Sequence, residues 1–288
     1  MTAGSPARAA RSRPRRELAL LLLLGAAGAG LAVLATRQGW ARVETAAPAA
    51  PGRPAARVSL IPSWEPVPYH RTMGYARDER LALSARLDQA GPRQPTLCQG
   101  WTTLDLAAHL VLREHRPDAG LGLLGGPLAA HTRRVQRRLA GRMPYPWLVQ
   151  MFRAGPPRFS LFALPGADER ANVVEYFVHH EDVRRAQPGW EPRKIDPGLT
   201  EVLWARLRMA RFMLRKAPVG VELARDDKPE PAGSRVRITA KARTPVVTVT
   251  GAPAELTLWV FGRTAAARVR LDGGEDAIAA LSGAHWRI

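Results

Sequence analysis

The sequence predicts an α plus α+β fold, in which an antiparallel helical bundle precedes a smaller α+β domain. Between residues 77 and 186, helical patterns alternate with breaks that contain Gly and Pro. From residue 197 onward, helical patterns are mixed with short runs rich in Val and Thr, which are typical of strands. This change of pattern predicts a domain boundary near residues 187–196.

Five helices are predicted for the bundle. Gly91 and Pro92 end the first helix, and Thr102 or Thr103 caps the second, with Asp105 in its first turn. Pro188 and Gly189 follow the last helix. The predicted helices are 77–90, 102–115, 128–140, 144–154 and 167–186.

The second domain is predicted to begin with a single helix from Pro197 to Lys216. Three β-like runs follow, and a further helix, a fourth strand and a terminal helix complete the chain. The predicted strands are 219–223, 235–239, 246–250 and 268–271, and the two later helices are 253–261 and 275–281.

The net charge of +18 does not indicate a nucleic-acid-binding protein. Only four of the 43 basic residues are Lys, which reflects a composition bias, and no basic block is interleaved with aromatic residues. The basic cluster at 133–138 is interpreted as a solvated helix face.

The one cysteine, Cys98, excludes an internal disulfide and fits a reducing compartment such as the cytoplasm.

Residues 1–72 are interpreted as a disordered or misassigned N-terminal extension. Leu18–Ala35 is an apolar run of 18 residues, at the lower limit for a membrane span, and its Gly and Ala residues weaken it. Three interpretations stay open: a membrane anchor at 18–35, a signal peptide, or upstream sequence before a true start at Met73. We expect a cytoplasmic protein or, alternatively, one that is membrane-anchored through residues 18–35.

A candidate metal site consists of His109, Glu175 and His179. Glu175 and His179 are four residues apart in one predicted helix, so both side chains can reach one ion from the same face. The spacing alone is weak, and each residue singly is more often a core residue. Together, two imidazoles and one carboxylate on two helices predict a divalent metal, with zinc preferred, and an open coordination position.

Three segments carry a resemblance to a known family. Leu97–Leu110 (LCQGWTTLDLAAHL) and Glu175–Val183 (EYFVHHEDV) resemble the two metal-ligand helices of the mycothiol-dependent maleylpyruvate isomerase family, within the DinB-like metal-binding superfamily. The stretch Val246–Arg263 resembles the sterol-carrier-like C-terminal domain of that family. The resemblance covers about residues 76–288 and implies a DinB-like bundle at 73–190 and a sterol-carrier-like domain at 191–288.

The resemblance also implies a chemistry. His109, Glu175 and His179 match the zinc ligands of the family, and the implied cofactor besides the metal is mycothiol. A metal-bound thiolate would attack an electrophilic small molecule, giving isomerisation or S-transfer. The segment Arg113–Asp118 (REHRPD) resembles a subgroup of the family whose reaction is not assigned, and this departure leaves open whether maleylpyruvate is the substrate. The alternatives are a non-catalytic metal-binding protein and a membrane-anchored protein that binds a partner.

Other polar residues near the site have simpler interpretations. His180 is expected on the surface or behind the ligands, because it points about 100° away from His179. Asp182 either orients the imidazole of His179 or, as the favoured interpretation, pairs with Arg185. Cys98 is expected to pack as a small apolar residue, with a reactive thiol as the alternative.

The remaining candidates are weaker still. Trp101 is expected to pack against the bundle, and His115 lies off the ligand face. His131 is a low-weight candidate for a fourth polar group near the site. Arg113 and Arg116 are expected to be solvated, and their alternative role is to attract an anionic cofactor or substrate.

Overall fold

Helices make up most of the residues that the computed structural model describes, and a small mixed sheet follows the bundle. The structure describes residues 74–120, 122, 126–158, 160, 163, 166–227 and 236–284. These described residues all lie in one compact unit. The coarse class predicted from the sequence, α plus α+β, agrees with this architecture.

Five long helices and one short helix form the first part of the structure. Each predicted helix is present within two residues of its predicted bounds, and the one-turn helix α3 was not predicted. The helices are α1 Tyr75–Ala90, α2 Thr103–His115, α3 Pro117–Gly120, α4 Ala129–Arg142, α5 Tyr145–Ala154 and α6 Ala167–Arg185.

The start of α2 is fixed by its cap. The Thr102 side chain accepts a hydrogen bond from the backbone N–H of Asp105, and the Asp105 carboxylate accepts one from the backbone N–H of Thr102. This reciprocal capping box satisfies two donors that the first turn of a helix leaves without partners. It also fixes the register of α2 and hence the direction in which His109 points.

The apolar core of the bundle lies between α1, α2, α5 and α6. Leu83 and Leu87 of α1 are fully buried against this core, as are Tyr176 and Phe177 of α6. α6 is buried over most of its circumference, including several charged side chains. A helix buried on all sides needs internal partners for its polar groups, and α6 therefore carries the main ion-pair networks of the molecule.

The single helix predicted at Pro197–Lys216 is wrong in detail. The segment consists of α7 Pro197–Arg206, a 3₁₀ turn, α8 Ala210–Met213 and a second 3₁₀ turn ending at Lys216. Leu203 packs in the first core cluster, whereas Leu207 and Leu214 pack in the second. The tighter 3₁₀ turns change the direction of the buried face between the two clusters.

A four-stranded sheet of order β2-β1-β3-β4 packs against the second core cluster. β1 is parallel to β3, and the outer strands β2 and β4 are antiparallel to their neighbours. The strands are β1 Gly220–Arg225, β2 Arg237–Lys241, β3 Val246–Gly251 and β4 Arg270–Asp272. Helix α9, Pro253–Val260, lies between β3 and β4 in the chain, and helix α10, Glu275–Gly283, follows β4.

The predicted boundary at 187–196 coincides with the connection between α6 and α7. Polar contacts reach across it, because Arg185 binds Glu255 of α9 at 2.6 and 2.8 Å, and Arg193 binds Glu79 of α1 at 2.7 Å. Ala254 and Leu258 of α9 also pack in the first core cluster. The parts before and after this connection therefore share apolar packing and buried ion pairs.

The N-terminal predictions concern residues outside the described part of the chain. Residues 1–73, including the apolar run 18–35, are not described. Among the helices that the structure does describe, none combines the length and the apolar character that crossing a membrane requires.

A buried ion network joins α1, α2 and α6. Arg80 binds Glu114 at 3.1 Å and Asp168 at 2.9 Å, and the Tyr176 hydroxyl donates to the Glu114 carboxylate. Burial raises the pKa of Glu114 to about 7, although the charge of Arg80 and the hydrogen bond from Tyr176 oppose this rise. Glu114 therefore titrates near neutral pH in the folded chain.

This raised pKa predicts a pH dependence of stability. A carboxyl whose folded pKa exceeds its unfolded value stabilises the fold below the unfolded pKa, and that contribution is lost as pH rises through the folded pKa. Between pH 5 and 8, we expect the wild-type chain to lose about 2 kcal/mol of unfolding free energy relative to Glu114→Gln. Urea denaturation of both proteins across this range measures the difference. The exposed Glu275→Gln is the control, and equal pH slopes for wild type and Glu114→Gln would contradict the prediction.

Candidate metal centre

The structure brings His109, Glu175 and His179 together on facing sides of α2 and α6. The Nε2 atoms of His109 and His179 each lie 3.2 Å from Oε1 of Glu175. All three potential ligand atoms lie within 4.8 Å of one another. The predicted set of residues is therefore one cluster rather than three separate core residues.

These separations fit a metal ion. Zinc bound to nitrogen and carboxylate oxygen at about 2.0–2.2 Å in tetrahedral geometry keeps its ligand atoms roughly 3.4 Å apart. The two measured distances of 3.2 Å are close to that value. The side chain of Glu175 is 24% exposed, whereas those of the two histidines are about 10% exposed or less. The cluster is thus more exposed on its carboxylate side than at the two imidazoles.

Aromatic contacts hold the two imidazoles in place. The rings of His109 and His179 meet edge to face with centroids 5.2 Å apart. On its other side, the His109 ring lies 5.0 Å from the ring of Trp101, which also packs against the bundle core. The expectation that Trp101 is a packing residue is confirmed. One of the side chains it packs against is His109, a candidate metal ligand.

The second nitrogen of each imidazole has a different environment. Nδ1 of His179 lies 2.9 Å from Oδ2 of Asp182, the arrangement that orients a metal-binding histidine through its far nitrogen. Nδ1 of His109 is buried and has no hydrogen-bond partner among the described residues. The site is therefore more firmly oriented at His179 than at His109.

The charges of the three residues differ. Burial would raise the pKa of Glu175, but the charge of Arg113 and hydrogen bonds from both histidines hold that pKa well below its usual value. Burial lowers the pKa of His109. Burial would also lower the pKa of His179, but hydrogen bonds to Asp182 and Cys98 raise it well above its usual value. Metal binding requires an ionised carboxylate and neutral imidazoles, so Glu175 and His109 are in the required states, whereas His179 must lose its ring proton when an ion binds.

Asp182 is paired with Arg263 and not with Arg185, so the favoured interpretation of Asp182 is wrong. Arg263 donates from Nε to Oδ1 at 2.8 Å and from Nη2 to Oδ2 at 2.7 Å. Arg185 instead binds Glu181 and Glu255. Burial would raise the pKa of Asp182, but the hydrogen bonds from His179 and Arg263 outweigh burial and keep the carboxylate ionised.

The backbone directs Arg263 toward the site. α9 ends at Val260, and Gly262 follows with φ of +82°, a left-handed conformation that costs a residue with a Cβ more than it costs glycine. This turn places the Arg263 guanidinium against Asp182, the carboxylate that contacts Nδ1 of His179. Arg263 ends the stretch Val246–Arg263 that carries the resemblance, and no local sequence pattern indicates its contact with Asp182.

Cys98 lies beside the site, on the Nδ1 side of His179. Its Sγ is 3.1 Å from Oδ2 of Asp182, 3.8 Å from Nδ1 of His179 and 3.4 Å from Nη2 of Arg263. The group of Cys98, His179 and Asp182 is thus a second set of potential ligand atoms. Both sets have a guanidinium nearby. Arg263 donates two hydrogen bonds to Asp182 of this second set at 2.8 and 2.7 Å, whereas Arg113 lies 3.5 Å from Glu175 of the first set, so the second set is the more fully neutralised.

The other candidates fall in different places. His180 is buried and its Nδ1 lies 3.1 Å from Glu79, so of its two expected positions the one on the surface is wrong. His131 pairs with Asp118 away from the cluster, and Arg116 pairs with the same carboxylate. Arg113 is beside the site, with its Nε 3.5 Å from Oε1 of Glu175.

The pairing of Asp182 with Arg263 predicts a strong energetic coupling. Asp182 is fully buried, so removal of Arg263 leaves a buried carboxylate with fewer partners. In a double-mutant cycle of Asp182→Asn and Arg263→Gln, we expect a coupling of about 2–3 kcal/mol in unfolding free energy.

The exposed pair of Arg268 and Glu191 is the matched control for this cycle. Both of its side chains are more than half exposed, and we expect its coupling to stay below about 1 kcal/mol. Additive effects of the two substitutions at Asp182 and Arg263 would show that the pair does not hold this part of the site.

Comparison with known proteins assigns the chain to no family. No protein-family model matches the chain, and neither a curated protein nor a solved structure matches it. The candidate site is therefore defined by the geometry of His109, Glu175 and His179 in this chain and by the residues around them.

Proposed function

We propose that His109, Glu175 and His179 bind one divalent metal, with zinc the expected ion. The observation that carries the proposal is the convergence of two imidazole nitrogens and one carboxylate oxygen, from two helices, at distances that fit one ion. The orientation of His179 by Asp182 supports it, because a partner on the far nitrogen is typical of metal-bound histidines.

We further propose a thiol-dependent isomerase or S-transferase, with a DinB-like bundle and a sterol-carrier-like second part. The sequence resemblance and the three-ligand set support this assignment, with mycothiol as the thiol. A divalent metal with an open position supplies positive charge that lowers the pKa of a bound thiol. The electrophilic substrate is a small molecule whose identity the resemblance leaves open.

Arg113 is the residue of the site most suited to attract an anionic substrate. It lies beside Glu175, and its Nη2 donates to the backbone oxygen of Ala171 at 3.0 Å, which fixes the guanidinium at the rim of the cluster. A guanidinium in this position can attract a carboxylate group to the solvent-facing side of the site. Arg116, the other predicted candidate, is paired with Asp118 and does not contact the cluster.

Metal analysis of the full chain tests the proposal. We expect one equivalent of zinc per chain after reconstitution and dialysis, and loss of most of that metal in His109→Ala and in Glu175→Gln, because each removes one of three protein ligands. His131→Ala is the matched control, since His131 is a partly exposed histidine outside the cluster. Unchanged metal content in His109→Ala, or no stoichiometric metal in the wild type, would refute the metal site.

A second measurement separates the catalytic proposal from the non-catalytic alternative. Zinc-loaded chain is titrated with a small thiol, and isothermal calorimetry records binding with and without the metal. Metal-dependent thiol binding supports the isomerase or transferase class. Stoichiometric zinc without any thiol binding would instead favour a metal-binding protein that has no thiol chemistry.

A further inference from the structure

A basic face with exposed apolar side chains lies on the segment that leads into the sheet. One side of this segment is buried through Leu207, Ala210 and Leu214. The opposite side is exposed. We define the 208–216 face as its six exposed residues, which are Arg208, Met209, Arg211, Phe212, Arg215 and Lys216.

Among the described residues, no carboxylate pairs with the positive charges of the 208–216 face. No Asp or Glu occurs between residues 202 and 221. Within the described part of the chain, none of the four basic residues of the face is in an ion pair. Lys241 of β2 adds a further cation, because its Nζ donates to the backbone oxygen of Arg215 at 2.7 Å. Such a cluster of four or five cations attracts polyanionic surfaces.

Two large apolar side chains lie among these cations, and one of them is aromatic, so the expectation that no basic block is interleaved with aromatic residues is wrong for this segment. Phe212 is 56% exposed and Met209 is 45% exposed. The guanidinium of Arg211 stacks on the Phe212 ring at 4.8 Å, and Nη1 of Arg215 donates to the Phe212 backbone oxygen at 2.9 Å. Exposed Phe and Met side chains flanked by Arg and Lys are the composition of a helix that lies in a membrane interface.

We propose that the 208–216 face binds an anionic lipid surface. Its cations would contact lipid phosphates and carboxylates, while Phe212 and Met209 enter the boundary between headgroups and acyl chains. Nucleic acid is the less favoured partner. Phe212 is the one aromatic side chain of the face on which a base could stack, whereas Met209 and Phe212 together offer exposed apolar surface that suits lipid.

A local fluorescent probe tests this contact. In the full chain with Cys98→Ser, which removes the one native cysteine, Phe212→Cys is labelled with an environment-sensitive fluorophore. Arg134→Cys, on the exposed basic side of α4, carries the same label as the matched control. Vesicles are phosphatidylcholine alone, or phosphatidylcholine with one-third phosphatidylserine.

We expect the label at position 212 to shift to an apolar environment on phosphatidylserine vesicles only, and the label at position 134 to remain in water. An apolar run elsewhere in the chain would bring both labels to the membrane alike, so the difference between them reports on the face itself. High salt should reverse the shift, because the attraction is electrostatic.

Charge neutralisation gives an independent measurement. Each basic residue near an anionic surface contributes about a fivefold factor to membrane partitioning. Replacement of Arg208, Arg211, Arg215 and Lys216 by Gln should weaken binding to the phosphatidylserine vesicles at least tenfold. The control replaces four exposed Arg of α4 by Gln, which removes the same net charge, and should leave binding within about twofold. The α4 residues are Arg133, Arg134, Arg137 and Arg138.

Three results would overturn the proposal. The first is a label at position 212 that stays in water on phosphatidylserine vesicles. The second is an equal loss of binding in both fourfold variants, which would show a response to net charge alone. The third is protection of the position 212 label from aqueous quencher by a short RNA but not by vesicles, which would assign the face to nucleic acid. The label measurement does not depend on the fourfold variants, so it tests the proposal even if one of them fails to fold.

Discussion

The buried carboxylate of Asp182 is the interaction on which the rest of the site depends. Its Oδ2 accepts hydrogen bonds from the His179 imidazole, the Cys98 thiol and the Arg263 guanidinium, which belong to three separate parts of the chain. A fully buried carboxylate without such donors would be strongly destabilising or would become protonated. Because the charge is satisfied, Asp182 can fix the ring of His179 while Arg263 attaches the turn after α9 to α6.

The same principle extends along α6. Its buried Glu181 pairs with Arg185 at 2.7 Å and with Arg193 at 2.8 Å, and Arg185 continues to Glu255 of α9. These contacts join the helices before residue 186 to the elements after residue 197 by charge as well as by apolar packing. We infer that the candidate metal centre needs the C-terminal elements for its shape, since they supply the cation that balances the residue behind His179.

The predictable part of the molecule was the part governed by local rules. Capping at Thr102 and the glycine break at Gly91 placed the long helices correctly, and the spacing of Glu175 and His179 indicated a shared face. The bends after Arg206 were missed because they follow from packing against two cores. Asp182 was assigned the wrong partner because Arg185 is near in sequence, whereas Arg263 is 81 residues away and is brought close only by the fold. A surface position was one of the two expected for His180, because helix geometry does not reveal that Glu79 covers that side.

The central claim is a metal held by His109, Glu175 and His179 with one position left for a non-protein ligand. X-ray absorption spectroscopy of the zinc-loaded full chain, in buffer free of thiols, measures this coordination most directly. We expect only nitrogen and oxygen neighbours at about 2.0–2.2 Å, with the scattering pattern of two imidazoles. A sulfur neighbour at about 2.3 Å would mean that Cys98 binds the metal, and this result would contradict the open three-ligand site.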